Sequence, residues 1–109
     1  QLASTLSGGE QQMLAIGRAF LTRPRLLCID ELSLGLAPMI VDQLLEIVRE
    51  LHRRGTTVVI VEQSVNVALS IATTAVFMEK GQVRYTGPAQ DLLDRPDLLR
   101  SVFLEGAAR

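Results

Sequence analysis

Two stretches carry residues able to do chemistry on an anion. The first is Ser7-Gly8-Gly9-Glu10, with Leu6 before it and Gln11-Gln12 behind. Ser7 is a good N-cap, and Glu10 three residues later completes a capping box. Met13, Ile16, Gly17 and Phe20 then recur on one helical face. Such a turn offers free backbone N–H groups at the positive end of a helix, with no side chains in the way. By itself it is equally an ordinary capped helix. The second stretch is Leu26-Leu27-Cys28-Ile29-Asp30-Glu31, an apolar run closed by two acids. The run suits a short parallel strand buried on both faces. Its acids then fall at the strand's C-terminal end, where open α/β sheets place ligands. Two acids alone could as well begin a turn or cap a helix.

Around these the elements fall in order. A helix is expected from Gly9 to about Leu21, stopped by Thr22-Arg23-Pro24-Arg25, because Pro24 disfavours helical geometry at Arg23. The strand spans 26–29, and 32–38 is a loop. Val41, Leu44, Leu45, Val48 and Leu51 form the apolar stripe of a helix from Met39 to about Arg54, with Gly55 as its stop. Thr56 to Glu62 is a β-branched strand, and Val65 to Ala72 a helix. Ala75 to Glu79 and Val83 to Thr86 pair as a hairpin turning at Lys80-Gly81. Gly87-Pro88 breaks the chain, and 89–93 and 96–104 are closing helices. This order is α/β, with a right-handed crossover joining the strands at 26–29 and 57–62.

Composition narrows the classes. In 109 residues, 48% are hydrophobic, enough for one small domain with a core. The net charge of −1 gives no electrostatic case for nucleic acid. Cys28 is the single cysteine; its place in the apolar run predicts a small core residue, and no disulfide can form within one chain. No apolar run approaches the ~18–20 residues that cross a bilayer, and no signal peptide is expected, because the first residues lack the basic and apolar regions one requires. The chain begins with Gln1, which hints at a piece of a longer one.

Leu6-Ser7-Gly8-Gly9-Glu10-Gln11-Gln12 followed at this distance by a hydrophobic run and Asp30-Glu31 resembles the signature and Walker B motifs of ATP-binding-cassette (ABC) ATPases. The resemblance implies ATP and Mg²⁺ as cofactors. Asp30 would hold Mg²⁺ through water, since that ion keeps several waters and takes few carboxylates. Glu31 would be the general base toward the water that attacks the γ-phosphate. Ser7, Gly8 and Gly9 would bind that phosphate in trans, closing on nucleotide held by a second subunit, while Gln11 and Gln12 support the turn or face the ribose. Ser33, Gly35 and Ala37 lie in the segment resembling the D-loop, where Ala37 stands in place of a frequent Asp. Leu32 replaces the usual Pro after the acids. Gln63 stands where most members have a switch His; it can bond a phosphate oxygen or the water, but cannot titrate near neutral pH.

Gln63 and the Ser33-Leu34-Gly35-Leu36-Ala37-Pro38 loop together narrow the resemblance. They look like the LivF-like ATP-binding subunits of bacterial high-affinity importers of branched-chain amino acids. The likeness runs through Val76-Phe77-Met78-Glu79-Lys80-Gly81 and Gly87-Pro88-Ala89. Urea or short-chain amide importer subunits are the near rival, and a non-catalytic truncated remnant is an alternative of another class. ABC ATPases of translation or DNA repair would show coiled-coil insertions or basic arms. The resemblance further implies a head-to-tail ATPase dimer, homo- or heteromeric, docked on transmembrane permease subunits at the cytoplasmic face of a bacterial membrane. No G-x-x-x-x-G-K-[ST] occurs, and the single lysine, Lys80, sits in a turn. The chain therefore looks like the C-terminal half of an ABC ATPase domain, mainly a parallel sheet flanked by helices with a C-terminal hairpin. Alone it is expected to be inactive and marginally stable.

Overall fold

The computed structural model describes residues 8–107, and side chains over residues 8–102. The Ser7 cap lies outside the described residues. The chain divides into two compact units, Gln1–Ser64 and Val65–Arg109.

The first unit is built as α1 (Gly8–Thr22), β1 (Leu26–Asp30), α2 (Pro38–Arg53) and β2 (Thr57–Val61). α2 is its organising element. Pro38 opens it, where a missing N–H costs nothing and a preset φ helps. The expected stripe of Val41, Leu44, Leu45, Val48 and Leu51 is buried throughout. A Schellman motif ends the helix: Gly55 N–H donates to His52 O (3.0 Å) and Thr56 N–H to Leu51 O (3.1 Å). Gly55 carries the φ of +101° this requires. α1 packs on α2. Gly9 is buried there, and a Cβ on it would stand 2.9 Å from Ile40 Cγ2, so the close approach of the helices needs glycine. The Arg54 guanidinium lies 4.0 Å from the centre of the Phe20 ring, a further tie between the two helices.

β1 and β2 are parallel, in the register Leu26↔Thr57 through Asp30↔Val61. Alternation places Leu27, Ile29, Val58 and Ile60 on one face and Leu26, Cys28, Asp30, Thr57, Val59 and Val61 on the other. The first set is buried or half-buried, the second exposed. The expectation of burial on both faces is thus corrected for this chain, and Cys28 is exposed rather than a core residue. The apolar run does not distinguish the two faces; the sheet has only one covered.

The second unit follows as α3 (Val65–Ile71), β3 (Thr74–Glu79), β4 (Gln82–Pro88), α4 (Ala89–Asp94) and α5 (Pro96–Ala107). Leu69, Ala89, Leu92 and Val102 form its core, with Phe77, Tyr85, Leu98 and Leu99 packed against it. Lys80 (φ +50°) and Gly81 (φ +76°) make the turn of an antiparallel hairpin. Gly87 and Pro88 do not break the chain as expected. They are the last residues of β4, with Thr74 opposite Pro88, and a strand end tolerates a residue without an N–H. Tyr85 Oη donates to Pro88 O at 3.0 Å. Its hydroxyl lies 2.8 Å from where a Cβ on Gly87 would be. No described helix is long and apolar enough to cross a membrane.

Candidate functional site

The site grows from the C-terminal ends of β1 and β2. Parallel pairing runs one residue past β1, with Glu31 N–H donating to Val61 O at 2.7 Å. Glu31 then takes φ +55°, left-handed backbone that non-glycine residues rarely adopt. The chain reverses there and drives Leu32 into the interior, where it is 1% exposed. The leucine at the position where the family pattern has proline is therefore an apolar anchor for the loop. Two turns follow, Leu34 N–H to Glu31 O (3.3 Å) and Leu36 N–H to Ser33 O (3.2 Å), with Gly35 at φ +72°. The loop runs into Ala37, the N-cap of α2, which makes no side-chain cap bond.

A cleft of about 350 Å³ opens between the loops after β1 and β2. It is lined by Glu31, Ser33, Leu34, Gly35, Glu62, Gln63 and Ser64. Four expected site residues thus meet: Glu31, Ser33, Gly35 and Gln63. Asp30 is exposed at the end of β1 and is not part of the lining. Ala37 lies beyond the cleft at the start of α2. Gly8, Gly9 and Gln11 sit in the first turn of α1, also outside the lining; Gly8 and Gln11 are exposed, and Gly9 is buried against α2. A Cβ on Gly8 would lie 3.6 Å from Leu36 Cδ2, so this turn stands beside the end of the loop.

Glu62 is the residue that sequence reasoning passed over. Ser33 Oγ donates to Glu62 Oε1 at 2.7 Å, and Ser33 N–H to Oε2 at 3.1 Å. Ser64 N–H donates to Oε1 at 3.2 Å. One carboxylate therefore holds both loops of the cleft. Its acid position directly before Gln63 was the available signal. Partial burial pushes the Glu62 carboxyl up, but the Ser33 hydroxyl and the amides of Ser64, Ser33 and Gln63 outweigh it and hold the carboxyl below its usual range.

That shift has a definite sign. A carboxylate with a lowered folded value contributes its stability in full above the unfolded value, ~4.3 for glutamate, and loses it as pH falls through the lower folded value. The Ser33 amide resonance is expected to stay unchanged through the ordinary glutamate range and to move only below it. An NMR titration of the wild type against Glu62→Gln checks this, since the variant must lack the transition.

Among the described residues no three His, Cys, Asp or Glu side chains gather around a common point. The exposed Asp30 carboxylate suits an ion that keeps its waters and takes one protein ligand.

The family model described as "AAA domain, putative AbiEii toxin, Type IV TA system" matches residues 1–67. The chain is 49% identical over 106 residues to the high-affinity branched-chain amino acid transport ATP-binding protein BraG of Pseudomonas aeruginosa. That alignment covers 97% of this chain and 45% of the relative. It is 44% identical over 91 residues to the arginine transport ATP-binding protein ArtP of Haemophilus influenzae, covering 84% and 37%. The chain thus spans less than half the length of these curated relatives. A solved ATP-binding subunit of an ABC transporter superposes with TM-score 0.78 at 27% identity, over 98% of this chain and 46% of its own. A solved ATP-binding cassette of an ABC transporter gives 0.76 at 28%, over 94% and 42%. The fold is that of a C-terminal part of an ABC ATPase domain, as the motifs imply.

Proposed function

This chain belongs to the AAA domain family, and from that premise we propose that it is the C-terminal part of the ATP-hydrolysing subunit of an ABC importer for branched-chain amino acids. The observation that carries the catalytic part is the meeting of Glu31 and Gln63 on one cleft at the ends of two paired parallel strands. The 49% identity to BraG supports the choice of solute. Hydrolysis requires a P-loop that these 109 residues do not contain, so the activity is proposed for a longer protein.

In this reading Glu31 accepts the proton of the attacking water. Its backbone, pinned to Val61, holds the carboxylate at the strand end through the reaction. Gln63 donates its side-chain N–H to a γ-phosphate oxygen or accepts from the water, and does so without a pH-dependent charge. Asp30 would hold Mg²⁺ through water, and that ion would supply positive charge against the phosphates. Ser7, Gly8 and Gly9, aided by Gln11, offer backbone and hydroxyl donors to nucleotide on a second ATPase subunit, joined head to tail. Ser33, Gly35 and Ala37 shape the loop beside that junction. Transmembrane permease subunits receive the work, which places the protein peripherally on the cytoplasmic face of the membrane.

The test is uptake of labelled leucine, isoleucine and valine in cells lacking the gene for the full-length protein. Loss of uptake, restored by wild type and not by Glu31→Gln, supports the assignment. Unchanged uptake of these three with lost uptake of urea or a short amide would transfer the subunit to that importer class.

A further inference from the structure

Three features outside the assigned roles were candidates for function: the exposed outer face of β1 and β2, the half-buried Arg84 whose Nε lacks a partner, and Glu62. Only Glu62 joins two parts of the site by bonds already in place. We propose that Glu62 is a positioning residue that locks the loop after β1 to the turn carrying Gln63, and so fixes the distance between Glu31 and Gln63. This rests on the functional reading above.

Glu31 and Gln63 sit on different loops, 32 positions apart in the chain. Backbone pairing fixes the strands only as far as Glu31 N–H on Val61 O. Beyond that point the ladder ends, and Ser33 and Ser64 lie on separate loops. Glu62 ties these two loops to each other, its two carboxylate oxygens accepting from three donors. Ser33 is caught at its amide and its hydroxyl, so the loop is held in position and in rotation. Ser64 is caught just past Gln63, which closes the turn that carries it. A carboxylate is the group that does this best, because both oxygens accept and neither donates. Bringing two reacting groups to a set separation is worth large factors in rate, and a shift of ~1 Å costs about 100-fold.

Glutamine at position 62 keeps one accepting oxygen, but turns an NH₂ toward the Ser33 or Ser64 donors. In the full-length protein, Glu62→Gln is expected to speed hydrogen exchange at the Ser33 and Ser64 amides by about 10-fold or more. The same variant should lower kcat for ATP by roughly 10- to 100-fold while KM stays within about 2-fold. Ser33→Ala removes one of the three bonds and should have a smaller effect. Glu62→Gln should cost less in the Ser33→Ala background than in wild type, because the two residues share a bond. A general structural weakening would lower the melting temperature without this kcat-against-KM split or this coupling. Wild-type protein that turns over no ATP overturns the functional reading. An active wild type whose Glu62→Gln form matches it in kcat, or whose two amides keep their protection, overturns the positioning role alone.

Discussion

Replacing Glu31 by glutamine in the full-length protein is expected to lower ATP turnover by about 10²- to 10⁴-fold, with nucleotide affinity changed by less than about 3-fold. Glutamine preserves the size of the side chain and its place at the strand end. The Glu31 N–H bond to Val61 O is made by the backbone and survives the change. What is lost is the ability to take a proton from water. Turnover should therefore fall while the melting temperature holds, and bound ATP should accumulate in an unhydrolysed state. Single-turnover measurements with excess enzyme separate the chemical step from product release. Turnover within about 3-fold of wild type would remove Glu31 from the role of base and leave its φ of +55° as a loop-reversal device only. On the proposed reading Gln63→Ala should act more weakly, since it would remove an orienting hydrogen bond and no proton acceptor.

Leu44→Ala carries the largest expected effect on stability. Leu44 has no exposed surface, and it lies between Val41, Leu45 and Val48 on the inner face of α2. Truncation removes buried methyl groups and leaves a cavity on the packed face of α2. A loss of about 2–5 kcal/mol follows for such a site. That is a large share of the 5–15 kcal/mol that holds a typical domain together. Urea unfolding of the full-length protein, followed by far-UV circular dichroism, should show an earlier midpoint for the variant. The control is Glu46→Ala on the opposite face of α2, which breaks only the exposed ion pair with Arg49. Exposed pairs are worth about 0–1 kcal/mol, so that variant should unfold close to wild type. A Leu44→Ala midpoint equal to the control's would show that α2 is not the core element described above.

Much of the fold was legible because it depends on neighbours in the chain. The stripe of α2 is a matter of 3.6-residue spacing, and all five stripe residues are buried. Gly55 and Gly81 stop and turn the chain because backbone with positive φ suits glycine, and both adopt it. The boundaries moved by a residue or two, as at Pro38, which starts α2 rather than ending the loop. Reading Gly87-Pro88 as a break was wrong for a reason outside that pair. Thr74 stands opposite and extends the hairpin to Pro88.

By itself the sequence determined which residues could act and roughly where each lies along its element: the acids at 30 and 31 after an apolar strand, Gln63 after the next strand, the glycines of the turn that opens α1. These are statements about types and short spacings, and local backbone preferences decide them. The tertiary structure alone decided which of those residues meet. The register Asp30↔Val61 sets the loops after β1 and β2 side by side. From that one alignment follow the cleft shared by Glu31 and Gln63, the hold of Glu62 on Ser33, and the exposure of Cys28 on the uncovered face. A hydrogen bond between residues 29 apart has no local signature. It exists only once two strands have paired in one register, because only that pairing brings the two loops within bonding distance.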